Sequence, residues 1–143
     1  MCACMSVFYL VITMRADSEL MVITKSKNLI EYVFSISEKS PKKFRLNLTN
    51  RIINLSLEVL EMLVMANETM LTLSENERQK RRNFQHDALA KLRILDALAL
   101  VAVEQGCILP KQYENLTKLI SECINLTGAW INSDRKRTAS MGI

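Results

Sequence analysis

Few residues in this chain of 143 could do chemistry: one histidine, four cysteines, and a concentration of arginine and lysine in two places. His86 follows Arg81 by five positions. A histidine can relay protons near neutral pH and an arginine can stabilise a pentavalent phosphorane, so the pair could act on a phosphodiester. On one helix, however, side chains five apart diverge by about 140°. An Arg at that distance from the sole His also arises readily within an Arg/Lys run, so a surface histidine in a basic stripe is the plainer reading. Glu58 and Glu61 are three apart, but a carboxylate-bridged metal site would need partnering Glu-x-x-His motifs, and a solvated edge fits better. Cys2, Cys4, Cys107 and Cys123 lack paired spacing, and one histidine removes the mixed Cys/His zinc site. They read as reduced, buried thiols of a cytoplasmic protein. Three glycines cannot build a phosphate-cradling loop, and no nucleotide fingerprint occurs, so neither a cofactor nor an enzyme activity is expected.

The basic residues are the better signal. Nineteen Lys and Arg against fifteen Asp and Glu give a net charge of +4, compatible with a polyanionic partner. Lys42, Lys43, Arg45 and Arg51 form one candidate patch; Arg78, Lys80, Arg81, Arg82, Lys91 and Arg93 form a second. Both suit backbone contacts to nucleic acid, and the shortage of exposed aromatics argues against sequence-specific reading of single strands. The competing interpretation is a solvated face whose charge only keeps the protein in solution.

These residues must be carried by helices, because 49% hydrophobic content with three Gly and two Pro leaves little material for turns. A first helix is expected from Ser18, with a stripe of Leu20, Ile23, Leu29, Ile30, Val33, Phe34 and Ile36, ending before Pro41. A second is expected within Pro41 to Leu71. Its apolar arc covers on the order of 200°, about twice what one core requires. Leu57, Leu60 and Val64 are therefore candidates for an interface with another copy of the chain. Ser74 and Glu77 form a capping box that starts a third helix, and Gly106 suits its left-handed stop. The third helix carries a core stripe of Phe84, Ala88, Leu92, Leu95, Ala99 and Ala102, with Arg78, Arg82, His86 and Arg93 on the other side and Arg81 beside the stripe. Pro110 suits the first turn of a fourth helix, which carries Trp130 over a close helix crossing. The expectation is an all-α, antiparallel up-down-up-down bundle over residues 21–132, with residues 1–20 as an arm or helix-one extension and 133–143 as a mobile basic tail. The first thirteen residues are apolar but too short to span a bilayer and lack the basic start of a secretory signal; Met14 and Met21 are alternative starts.

Two family resemblances follow. Arg81-x4-His86 is similar to the motif of HEPN ribonucleases, which act on the RNA backbone. More of the chain, about Met21 to Arg137, resembles the Avd-like four-helix-bundle family. The resemblance is carried by TKSKNLIEYVFSISEKSPKKFRLNLTNRIINLSLEVLEMLVMANE, then GCIL.KQYE and GAWINSDRKR, most diagnostically by Ser40-Pro41-Lys42-Lys43-Phe44-Arg45. The family comprises accessory variability determinants of diversity-generating retroelements and related proteins of rRNA intervening sequences. The resemblance implies a homopentameric barrel that binds template RNA, or DNA, and a partner reverse transcriptase, supporting mutagenic cDNA synthesis. It implies no catalytic residues and no membrane association. The family's basic surface falls on Lys42, Lys43, Arg45, Arg51 and the Arg78 to Arg93 run. An oligomeric scaffold of the intervening-sequence type is the alternative without a retroelement.

Overall fold

Four helices follow one another with breaks where the sequence supplies a Pro, a Ser cap or a Gly: α1 (Cys2–Lys39), α2 (Asn50–Glu68), α3 (Glu75–Glu104) and α4 (Pro110–Ser140). The computed structural model describes the backbone of residues 2–72 and 74–142, and side chains from residue 21 onward apart from residues 73 and 143. Those residues contain no strand. The side chains of the expected N-terminal extension, residues 1–20, thus lie outside the described residues.

α1 packs on α2 and α4, and α3 packs on the same two, giving the expected bundle in which each helix has two neighbours. Its interior is a continuous apolar column: Leu29 and Val33 from α1, Leu55, Val59 and Leu63 from α2, Leu92 and Leu95 from α3, Leu116 and Ile120 from α4, all with no measurable exposure. Burying one such side chain is worth about 1.5–3 kcal/mol, so this column dominates stability. Cys123 belongs to it. Burial there pushes its thiol pKa up to about 12, with Glu122 adding to the shift and Lys25 opposing it.

Helix ends follow the sequence closely. The Ser74 hydroxyl accepts from the Glu77 amide at 3.2 Å, forming half of the capping box. The Glu77 carboxylate instead takes the Lys80 ammonium at 3.1 Å. At the other end of α3, Gly106 has φ +76°, a left-handed geometry that a side chain would strain. There the amides of Cys107 and Gly106 donate to the carbonyls of Ala102 and Val103, at 2.8 and 3.2 Å, the two bonds of a Schellman stop.

Within the Pro41 to Leu71 stretch, a 3₁₀ turn over Lys42–Phe44 and a π turn over Arg45–Thr49 precede α2, which lies inside the expected bounds. One expectation needs correction: the stretch from Ser133 is no loose tail, since α4 continues through Ser140. The reason is Asp134, only 4% exposed and tied to α3, which anchors the final turns.

α2 has the predicted excess of apolar surface. Ile52, Leu55, Val59, Leu63 and Ala66 are buried, whereas Leu57 and Val64 are 41% and 39% exposed and Leu60 is half-buried. Glu58 bonds Lys91 of α3, so by helical register Leu57, Leu60 and Val64 occupy the flank of α2 that turns away from α3. Phe34 of α1 is also exposed. On α3, Ile94 and Val101 are exposed on one flank and Leu100 on the other.

Candidate nucleic-acid interface

The two basic patches have different fates. Lys42, Lys43 and Arg45 are all exposed, on the paired turns that Ser40-Pro41 forces between α1 and α2. Among the described residues none of the three makes an ion pair. Lys43 instead holds its ammonium 5.0 Å from the ring centre of Phe44, whose body packs on the core. Arg51, one turn on, is exposed and reaches Glu58 only at 4.0 Å. Three unneutralised cations on short turns, with a fourth loosely held nearby, form a surface suited to phosphate contacts.

The α3 run is mostly neutralised by its own fold. Arg78 binds the Glu75 carboxylate through Nε and Nη2 at 3.1 and 2.9 Å, and Arg82 takes the other oxygen of Glu75 at 2.8 Å. The Arg82 and Arg78 hydrogen bonds hold Glu75 below the usual carboxylate range. Lys80 is paired with Glu77, and Lys91 with Glu58 at 2.7 Å. Lys91's hydrogen bond is the main reason that Glu58 is also held low. Only Arg93 of this set is both exposed and without an ion pair among the described residues.

Arg78 overturns the expected outward stripe, being 7% exposed, and Arg81, expected beside the core stripe and in the basic patch, is 4% exposed. Arg81 is the centre of a buried network at the end of the bundle where α2 turns into α3. Its Nε and Nη2 grip Asp134 of α4 at 2.6 and 3.1 Å, while Nη1 donates to the carbonyls of Ala66 and Thr69 at 3.3 and 3.0 Å. The guanidinium lies 4.9 Å from the centre of the Trp130 ring. Gln85 Nε2 and Arg137 Nη2 complete the shell around Asp134. Burial is the largest single influence on this carboxyl and pushes its pKa up. The bonds and charge of Arg81, with help from Gln85 and Arg137, together outweigh it and hold the group below the ordinary value.

This geometry separates Arg81 from His86. Arg81 is committed inward, and His86 is exposed on the rim of a cavity of about 270 Å³ between the start of α3 and the end of α4. That cavity brings His86 together with Arg82, one helical turn before it, and with Arg135. Gln85, Asp134 and Arg135 were not singled out as functional by sequence reasoning, yet a signal existed. Arg81, Gln85, Ala88, Leu92, Leu95, Ala99 and Ala102 follow one another at steps of four and three, so Arg81 and Gln85 occupy core positions. Asp134 likewise continues the line of Ile120, Cys123, Thr127 and Trp130. Charge at such positions needs a buried partner, and each stripe supplies the other's.

Among the described residues no cluster of His, Cys, Asp and Glu could hold a metal, and no helix is long and apolar enough to cross a membrane. The molecule is thus an all-helical four-helix bundle with an exposed cationic turn at one end and a buried ionic network beside a cationic cavity at the other. No protein-family model matches the chain, and no curated protein matches it.

Proposed function

We propose that this protein is a non-enzymatic accessory factor of the diversity-generating-retroelement type, a homopentamer that binds template RNA and a partner reverse transcriptase through basic surfaces. The observation that carries the reading is the exposed Lys42, Lys43 and Arg45 cluster, three cations without ion pairs among the described residues on the segment most diagnostic of the Avd-like resemblance. Fixed cations of this kind bind a phosphate backbone through counterion release, without reading bases.

The apolar strips support self-association. A ring built by rotation needs two different surfaces on each copy, one for each neighbour. Leu57, Leu60 and Val64 supply one, and Ile94 and Val101 of α3 a second. RNA cleavage is not expected, because the Arg81 guanidinium is held by Asp134 and two backbone carbonyls.

The test is RNA binding by fluorescence anisotropy across a salt series, with oligomer size followed by light scattering. Wild type is expected to lose affinity steeply with salt. Lys42→Gln/Lys43→Gln/Arg45→Gln should flatten the log-log slope by about 2–3, since each lost phosphate contact removes roughly 0.7–0.9. Leu57→Glu/Val64→Glu should dissociate the assembly without unfolding the bundle. Unchanged RNA affinity in the triple variant, or a wild-type monomer at micromolar concentration, would remove the corresponding half of the proposal.

A further inference from the structure

The cavity between α3 and α4 has a composition that the RNA-backbone reading does not use. It is lined by Arg82 and His86 on α3 and Arg135 on α4, and by the apolar side chains of Leu71, Ile131 and Ala139. We propose that it is a binding site for a phosphate monoester carrying a sugar or ring body, such as a free nucleotide or the 5′ end of a nucleic-acid strand. The choice between these two carriers, but not the site itself, rests on the RNA-binding reading above.

Charge comes first. Asp134 also borders the cavity and would repel an anion if it were bare. It is not bare. Oδ2 accepts from Arg81 and Gln85, and Oδ1 accepts from Arg81 and Arg137, so four donors occupy its lone pairs. Around this end of the bundle, Glu75 and Asp134 are each shared between two guanidinium groups, Arg78 and Arg82 on the first and Arg81 and Arg137 on the second, while Glu77 pairs with Lys80. The surplus is positive, and Arg135 makes no ion pair among the described residues.

Donor geometry comes next. Arg82 uses one nitrogen, Nη2, for both Glu75 and Gln79, and Glu75 is itself solvent-exposed. A dianionic phosphate can therefore compete for Arg82 against a well-hydrated carboxylate. Guanidinium groups contributed by two helices suit a tetrahedral group with three terminal oxygens better than a planar carboxylate, which one arginine satisfies alone. Thr138 adds no donor, because its hydroxyl proton goes to the Asp134 carbonyl at 2.8 Å.

Size and polarity then select the body of the ligand. The cavity, about 270 Å³, is larger than a phosphate group alone would fill. The remainder faces Leu71, Ile131 and Ala139, which would cover a ribose or base edge.

The experiment exploits the single histidine, whose two ring C–H resonances, Cδ2–H and Cε1–H, can belong to no other residue of the intact protein. 5′-AMP and adenosine are titrated separately, then a trinucleotide with and without a 5′-phosphate, with affinities from calorimetry. 5′-AMP should shift the His86 resonance, and each phosphorylated ligand should bind at least roughly tenfold more tightly than its unphosphorylated counterpart. Arg82→Gln/Arg135→Gln should abolish that preference and Arg93→Gln should keep it, with circular dichroism confirming the fold. Equal binding of 5′-AMP and adenosine, or a preference that survives in Arg82→Gln/Arg135→Gln, overturns the proposal. Circular RNA, which has no ends, separates the two readings. If it binds while 5′-AMP does not, this site fails and the backbone reading stands. If 5′-AMP binds while circular RNA does not, the site stands with a free nucleotide as its ligand, and the backbone reading fails.

Discussion

Arg45 and Arg81 are both arginines in basic stretches of sequence, yet one is exposed to water and the other is 4% exposed between Trp130 and Asp134. The difference extends to their regions. At the α1–α2 turn, charge is displayed: Lys42, Lys43 and Arg45 have no ion-pair partners among the described residues, and removing them leaves no buried group unsatisfied. At the α2–α3 end, charge is structural. It ties α3 to α4 through Asp134 and caps the end of α2 through the carbonyls of Ala66 and Thr69. Local density of Lys and Arg therefore says little about availability; position on the helical stripe decides it.

The strongest way to break this comparison is to cut each region. Arg81→Ala or Asp134→Ala should each cost about 3–5 kcal/mol in denaturant unfolding, because each leaves a buried partner charge uncompensated. Lys42→Gln/Lys43→Gln/Arg45→Gln should stay within about 0.5 kcal/mol per site. Replacing both network partners by apolar residues, Arg81→Met/Asp134→Leu, should be milder than either single change. Comparable losses from the two regions would show that the buried network is not what holds α4 in place.

A pH series sharpens the same contrast. Asp134 is held below its ordinary value of 3.8, so its contribution to stability is fully present above that value and is lost as pH falls through the lower folded one. Asp134→Asn should remove this part of the acid-side slope, and the Lys42/Lys43/Arg45 variant should keep it. Urea midpoints measured between neutral pH and pH 2 would show whether the slope follows the carboxylate.

A change of intermediate size is expected at the start of α3. Ser74→Ala removes the bond to the Glu77 amide and should cost about 1 kcal/mol, without altering RNA binding. A larger loss would mean that the cap also positions Glu75 between Arg78 and Arg82, linking local helix chemistry to the cationic end.

Much of the architecture could be read from the residues alone, because it depends on local rules. Steps of three and four between apolar residues set four helices, Ser74 and Gly106 set the bounds of α3, and Pro110 the start of α4. The apolar excess on α2 was equally visible, since Leu57 and Val64 cannot share the direction of Leu55, Val59 and Leu63 on one helix. What the residues alone did not decide was the use of each charge. Arg78, Arg81 and Arg82 are neighbours in sequence, but one carboxylate, Asp134, lies 53 positions beyond Arg81 and meets it only because α3 and α4 pack side by side. That contact turns an expected mobile tail into helix, withdraws Arg81 from solvent, and leaves Arg82, His86 and Arg135 around one cavity. Helix periodicity acts over a few residues and is carried by sequence; the desolvation and pairing of a charge depend on which distant group packing brings to it, and only the folded bundle determines that.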